Sequence, residues 1–261
     1  ADTDPPDQRG VAIKNPGVSR QDILFTLQQA LEPSEDVLAM WEGGGAAFGR
    51  LDDWSDIDLM LIVDDPQVEN IVKQVEAALR ELSPIELKLE LPQPSWHGHW
   101  QAYYRFTRGS PYLVLDLVVM QRSSKNRFLE PEIHGEARVI FDKEHYTHTP
   151  LLDRDALSDT LSQRLNLLYL RFELFQSNVE KSIKRKNDIE ALTDYFNSTL
   201  GPLVEVLRIL HCPARYSFGT RHIYHDLPQE ELSRLEPLFY VTNREDVFNK
   251  RATAEDWFRE S

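Results

Sequence analysis

The sequence predicts an α+β fold: a mixed sheet with flanking helices over roughly the first 150 residues, then a helical bundle. Three observations predict it. Short apolar or alternating runs of strand length recur from residue 57 to residue 142. After Pro150 the apolar period changes to three and four residues. The chain of 261 residues, 41% hydrophobic and 28% charged, can bury a sizeable core.

The elements follow in order. Residues 1–18 carry three prolines and little periodicity and read as a loosely attached arm. In residues 21–31, Ile23, Leu24, Leu27 and Leu31 recur at helical intervals. A glycine-rich loop is expected at 43–49, and IDLMLIV at 57–63 is short, apolar and β-compatible. Val68–Leu82 fits an amphipathic helix, and IELKLEL at 85–91 alternates as a half-exposed strand does. Trp100–Thr107, the run YLVLDLVVM at 112–120 and ARVIFD at 137–142 complete the strands; the second is apolar on both faces and hence central. Leu157, Leu161, Leu165, Leu168, Phe172, Phe175 and Val179 then mark one long helix, and Ile189 to Leu210 a second, which Gly201-Pro202 should kink or break. Two weaker helices are expected near 229–239 and 244–259. These changes divide the chain into domains at 20–145 and 151–261.

The net charge of −14 is unevenly spread. Residues 1–150 hold 14 Lys and Arg against 25 Asp and Glu, a net of −11, and the remainder has a net of −3. Nucleic-acid binders carry a basic footprint, so a nucleic-acid partner is not expected. No run of 18 apolar residues occurs, so no membrane span is expected. The acidic, polar N-terminus does not read as a secretory signal. A single cysteine, Cys212, excludes an internal disulfide and a multi-cysteine zinc site, and a cytoplasmic location is the natural expectation. No feature specifies an oligomeric state.

Residues 43–59, GGGAAFGRLDDWSDIDL, carry the chemistry. A glycine turn lets backbone N–H groups approach an anion. Asp56 and Asp58 then open a strand, so alternation sends both side chains to one face about 6–7 Å apart. Two such carboxylates repel unless a cation lies between them, and hard oxygen donors favour Mg²⁺. A third, Asp116, is the sole charged residue between Gly109 and Arg122. Burying it unpaired costs several kcal/mol, which a metal shared with Asp56 and Asp58 would offset. Singly, each feature has a plainer reading: a loop, a solvated turn, a strand aspartate paired with arginine. Together, in this order, they suit phosphoryl or nucleotidyl transfer.

With Gly44-Gly45, ten intervening residues and Asp56-Ile57-Asp58, the chain resembles the DNA polymerase β nucleotidyltransferase superfamily. Gly49-Arg50 and Ser55-Asp56-Ile57-Asp58-Leu59 make it similar to the small antibiotic nucleotidyltransferases of the aminoglycoside and lincosamide type, which also place a helical domain second. Where many members have serine, this chain has Gly45. The resemblance implies a polymerase β-like first domain, a nucleotide held by Gly44, Gly45, Arg50 and Ser55, and two Mg²⁺ ions held by Asp56, Asp58 and Asp116. It also implies ATP or another nucleoside triphosphate as co-substrate. In relatives a basic residue at the junction of the long helices reaches the triphosphate, which points to Arg185 within the Lys181–Lys186 cluster. That cluster also reads as a solvated face near a helix C-terminus.

The function implied is transfer of a nucleoside monophosphate, AMP from ATP first, to a hydroxyl of a small acceptor. The acidic first half suits a cationic acceptor such as an aminoglycoside, although acidity also serves solubility. Trp96, Trp100, Tyr103 and Tyr104 can serve as flat surfaces for sugar rings or as core. Two alternatives stay open: modification of a protein side chain, and a non-catalytic nucleotide-binding regulator. Elsewhere, the His97-Gly98-His99 pair could ligate zinc but lacks a third soft ligand, and Arg215, Arg221 and His222 lie in a loop that binds phosphate or merely caps.

Overall fold

The computed structural model describes residues 17–261, so most of the arm expected at 1–18 lies outside the described residues. Its last residue is docked: Val18 is buried, and its N–H donates to the Arg108 carbonyl at 2.9 Å. The chain divides into two compact units, one ending at Pro150 and one spanning Leu151–Ser261.

In the first unit, helix α1 (Arg20–Leu31) begins at a capping box in which Ser19 and Asp22 each bond the other's backbone N–H. Strand β1 (Val37–Glu42) follows, then a single turn of helix, α2 (Gly44–Ala47), and strand β2 (Ile57–Val63). Helix α3 (Val68–Leu82) leads to β3 (Ile85–Glu90), β4 (Trp100–Phe106) and β5 (Leu115–Gln121). Short α4 (Pro131–His134) and β6 (Arg138–Asp142) complete the unit.

Among the described residues these strands form one mixed sheet in the order β3-β4-β5-β2-β1-β6. β2 and β5 run parallel at its centre, and the other junctions are antiparallel. The two faces have different partners. Ile57, Leu59, Leu61, Leu115, Leu117 and Val119 join the apolar faces of α1 and α3 in the larger core. On the other face Trp41, Ile62, Val118 and Met120 pack with Leu129, leaving the starts of β2 and β5 to polar side chains.

Two sequence expectations change here. The glycine loop at 43–49 contains a helical turn, with Ala47 N–H donating to the Gly43 carbonyl at 3.1 Å. Strand β1 was not foreseen. All six of its residues are buried, so it shows no alternation to mark it.

The second unit opens with α5 (Arg154–Arg185), capped by the Asp153 carboxylate on Ala156 N–H at 2.9 Å. Its buried face is Leu168, Phe172, Gln176, Val179 and Ser182, whereas Leu165 and Phe175 from the expected stripe are exposed. Then come α6 (Asp188–Asp194), a π-helical turn at Tyr195–Leu200 and α7 (Gly201–His211). The expected break at Gly201-Pro202 is this π turn, and the helix continues through it. Pro202 has no N–H for the Ser198 carbonyl four residues back. Gln176 of α5 supplies one instead: its Nε2 donates to Ser198 O at 2.6 Å, while Thr199 Oγ1 donates to Gln176 Oε1 at 2.8 Å.

Beyond α7, the loop with Arg215, Arg221 and His222 is built around a buried ion pair. Arg208 Nη1 donates to Asp226 Oδ2 at 2.9 Å and Arg215 Nη2 to Asp226 Oδ1 at 2.8 Å. Asp226 belongs to the short α8 (Ile223–Asp226), which is followed by α9 (Gln229–Phe239) and α10 (Arg244–Glu260). The two arginines hold the Asp226 carboxyl below its ordinary range against the cost of burial. Arg221 lies over the Phe218 ring, 4.1 Å from its centroid. Among the described residues no helix is long and apolar enough to cross a membrane.

Candidate active site

The candidate site forms at the N-terminal ends of β2 and β5. Arg20, the first residue of α1, ties the approach together: it pairs with the buried Glu42 at the end of β1 and donates through Nη1 to the Asp56 carbonyl at 2.7 Å. Gly43 N–H donates to Asp58 O at 2.8 Å, which pins the glycine turn to β2. Gly44 follows with φ +48°, a conformation that favours glycine. A Cβ there would lie 1.8 Å from Asp58 Oδ2, so the turn passes directly over that carboxylate. Gly45 differs: a Cβ would sit 3.6 Å from Leu51 Cδ2 and 3.9 Å from Ser55 Oγ, in ordinary contact.

The remaining residues of the motif are close in sequence and variously engaged. Arg50 N–H donates to Gly45 O at 2.8 Å, and the guanidinium lies 4.7 Å from the Phe48 ring centroid. Ser55 Oγ donates to Asp52 Oδ1 at 2.7 Å and accepts from Asp52 N–H at 2.9 Å, so its hydroxyl serves a local turn. Asp56 is exposed, one residue ahead of β2, and Asp58 is half-buried.

Asp58 and Asp116 are register partners across the parallel β2–β5 junction and therefore share a sheet face. The Asp116 carboxyl is pushed up to about 6, first by burial. The charges of Asp58 and Asp56 push the same way, and a hydrogen bond from Gln101 Nε2 to Oδ1 at 2.7 Å pulls against them. Tyr103, the register partner of Asp116 on β4, has its phenol raised by burial and by Asp116 and Asp58.

The donor chemistry fits a hard divalent cation. All three groups are carboxylates; Asp116 is raised first by burial and then by the charges of Asp58 and Asp56, and a cation would relieve the latter. Among the described residues, however, no group of three or more His, Cys, Asp or Glu side chains is already gathered as a metal site.

Sequence reasoning missed Gln101 and the role of its neighbours. Gln101 is buried on β4, and its Nε2 also donates to Tyr103 Oη at 2.9 Å. Its Oε1 lies 2.8 Å from His97 Nε2. A lone amide in the otherwise apolar and aromatic start WQAYY was the available signal. The His97 ring is thus engaged in hydrogen bonding, and His99 is buried beside Phe128, with burial lowering its pKa. Tyr104, for which a sugar surface and the core were both open, is fully buried in the helix-covered core and donates to Glu76. In the second unit, Arg185 is exposed at the C-terminal end of α5, and nearby Lys184 pairs with Glu180 at 2.6 Å.

No family model matches the chain, and no curated protein matches it. Among solved structures, an aminoglycoside 6-adenyltransferase from Bacillus subtilis is similar at 15% identity and TM-score 0.36, with 93% of this chain and 88% of that chain covered. A spectinomycin adenyltransferase from Enterococcus faecialis, solved with ATP and spectinomycin, is similar at 10% identity and TM-score 0.37, with 92% of this chain and all of that chain covered.

Proposed function

We propose that residues 20–145 are a nucleotidyltransferase domain that transfers a nucleoside monophosphate, AMP from ATP first, to a hydroxyl of a small acceptor. The observation that carries this reading is the pairing of Asp58 with Asp116 in register at the starts of parallel strands, under a glycine that leaves no room for a side chain above Asp58. Arrangements that hold acidic groups against their own repulsion are a feature of functional sites. The distant likeness to the two adenyltransferases carries none of this argument.

In this reading Asp56, Asp58 and Asp116 would hold two Mg²⁺ ions, which would supply charge neutralisation at the triphosphate and acidity to the acceptor hydroxyl. Gly44, Gly45, Arg50 and Ser55 orient the nucleotide. The acceptor oxygen bonds to the α-phosphorus as the bond to pyrophosphate breaks, and the hydroxyl proton passes to Asp116 Oδ2.

The acceptor proposed is a cationic alcohol such as an aminoglycoside, because residues 1–150 carry a net charge of −11. Incubation with each labelled triphosphate and a panel of alcohols, read by adduct mass and pyrophosphate release, tests the reading. Adducts on aminoglycosides support it. Pyrophosphate release with no small-molecule adduct but a labelled protein would replace the acceptor, and neither product would reject transfer.

A further inference from the structure

The turn Ser95-Trp96-His97-Gly98-His99 lies outside the glycine motif, yet a line of hydrogen bonds runs from it to Asp116. His99 N–H donates to His97 Nδ1 at 3.1 Å. A backbone N–H can only donate, so Nδ1 is the bare nitrogen and the ring proton of neutral His97 sits on Nε2. The Ser95 hydroxyl leaves this assignment intact, since its proton has the shorter contact to the His99 carbonyl at 2.6 Å. His97 Nε2–H therefore donates to the atom 2.8 Å away, which must be the Gln101 carbonyl oxygen, Oε1. That fixes the amide: its nitrogen faces away from the histidine, with one hydrogen to Asp116 Oδ1 at 2.7 Å and the other to Tyr103 Oη at 2.9 Å.

The direction of every bond thus follows from one backbone donor. Both hydrogens and the oxygen of a buried amide are used, so the amide has no alternative orientation of equal energy. We propose that His97 is a positioning residue for Asp116: through Gln101 it occupies Oδ1 and leaves Oδ2 as the oxygen that meets a cation or the acceptor proton. This rests on the reading of Asp116 as a site carboxylate. It assigns a task to two residues that do not touch the reacting atoms, and it explains why an amide is buried on β4 beside a carboxylate that burial already disfavours. In metal sites, loss of a group that orients a ligand through its second oxygen or nitrogen typically costs about 10–100-fold in affinity.

The test uses the full chain and Mn²⁺ alone as the probe, with ¹⁵N-labelled protein read in parallel for the tautomer of His97. His97→Phe and Gln101→Leu should each weaken Mn²⁺ binding by about 10–100-fold while the thermal transition stays cooperative. The wild-type His97 ring should show the Nε2–H tautomer. Asp116→Asn separates the two levels: it should weaken Mn²⁺ binding at least as much as either variant. If Asp116→Asn binds Mn²⁺ as the wild type does, the site reading fails, and the positioning role falls with it. If Asp116→Asn loses Mn²⁺ but His97→Phe and Gln101→Leu both keep it within about twofold, the site stands and the positioning role is overturned. An Nδ1–H tautomer overturns the chain of donors whatever the metal does.

Discussion

Asp58 and Asp116 stand opposite each other in register on β2 and β5, and the backbone of Gly44 closes over the first of them. Two acidic groups are therefore held on one sheet face by the central parallel junction, where neighbouring strands lie about 4.8 Å apart. The fold maintains that contact at a cost, and the cost can be measured.

The Asp116 carboxyl binds its proton more tightly in the folded chain, at about 6, than at its ordinary 3.8. Folding thus favours the protonated form, and the stability it contributes is present below about pH 4 and is lost as pH rises through about 6. The difference between the ends is at most about 3 kcal/mol. Asp116→Asn lacks this titration, so its stability relative to the wild type should rise between pH 4 and pH 6 and then level. Urea denaturation across that range checks the sign. Mg²⁺ at neutral pH should raise the melting temperature of the wild type and leave that of Asp116→Asn nearly unchanged.

The two motif glycines should behave oppositely. Gly44→Ala places a methyl against Asp58 Oδ2 in a backbone conformation that alanine disfavours, and should cost about 2–4 kcal/mol. Gly45→Ser has room and sits in a helical turn, where serine is favoured over glycine by about half a kcal/mol. It should fold at least as well as the wild type and transfer nucleotide at least as fast. Denaturation midpoints separate the two.

Gln176 should matter because of Pro202. Gln176→Leu strips the Ser198 carbonyl and the Thr199 hydroxyl of partners that the structure supplies, at about 2–4 kcal/mol. In a Pro202→Ala background the helix regains an N–H for Ser198 O, and the same substitution should cost about 1 kcal/mol less. A double-mutant cycle with no coupling would reject this account of the π turn.

The Arg208–Asp226–Arg215 cluster should be structural. Asp226→Asn leaves a fully buried guanidinium without its counter-charge and should cost about 3–5 kcal/mol. Its carboxyl is held below the ordinary range, so the stability it adds is present above about pH 4 and lost on acidification below that. Transfer activity, assayed at a temperature where the variant is folded, should be little changed.

The sequence made some of this legible and hid the rest for physical reasons. The bounds of β2 and α3 could be read directly, because one is a compact apolar run and the other a regular amphipathic one. β1 escaped because burial on both faces erases the alternation that marks a strand. Asp116 stood out as a lone charge in an apolar run and was grouped with Asp56 and Asp58 by its chemistry, but its register opposite Asp58 was not legible, since register is a property of two strands and not of either sequence. Gln101 was hidden for the same reason: the amide matters through His97 and Asp116, four and fifteen residues away. Tyr104 was left open between a sugar surface and the core; one step of the pleat turns it into the core while Tyr103 faces the carboxylates.

The most direct measurement is release of pyrophosphate from ATP with Mg²⁺ and an aminoglycoside panel, comparing the wild type with Asp58→Asn. The account predicts wild-type release coupled to an adduct one AMP heavier, and a fall of at least about 10²-fold in the variant with its fold intact. Transfer by Asp58→Asn near the wild-type rate would contradict it.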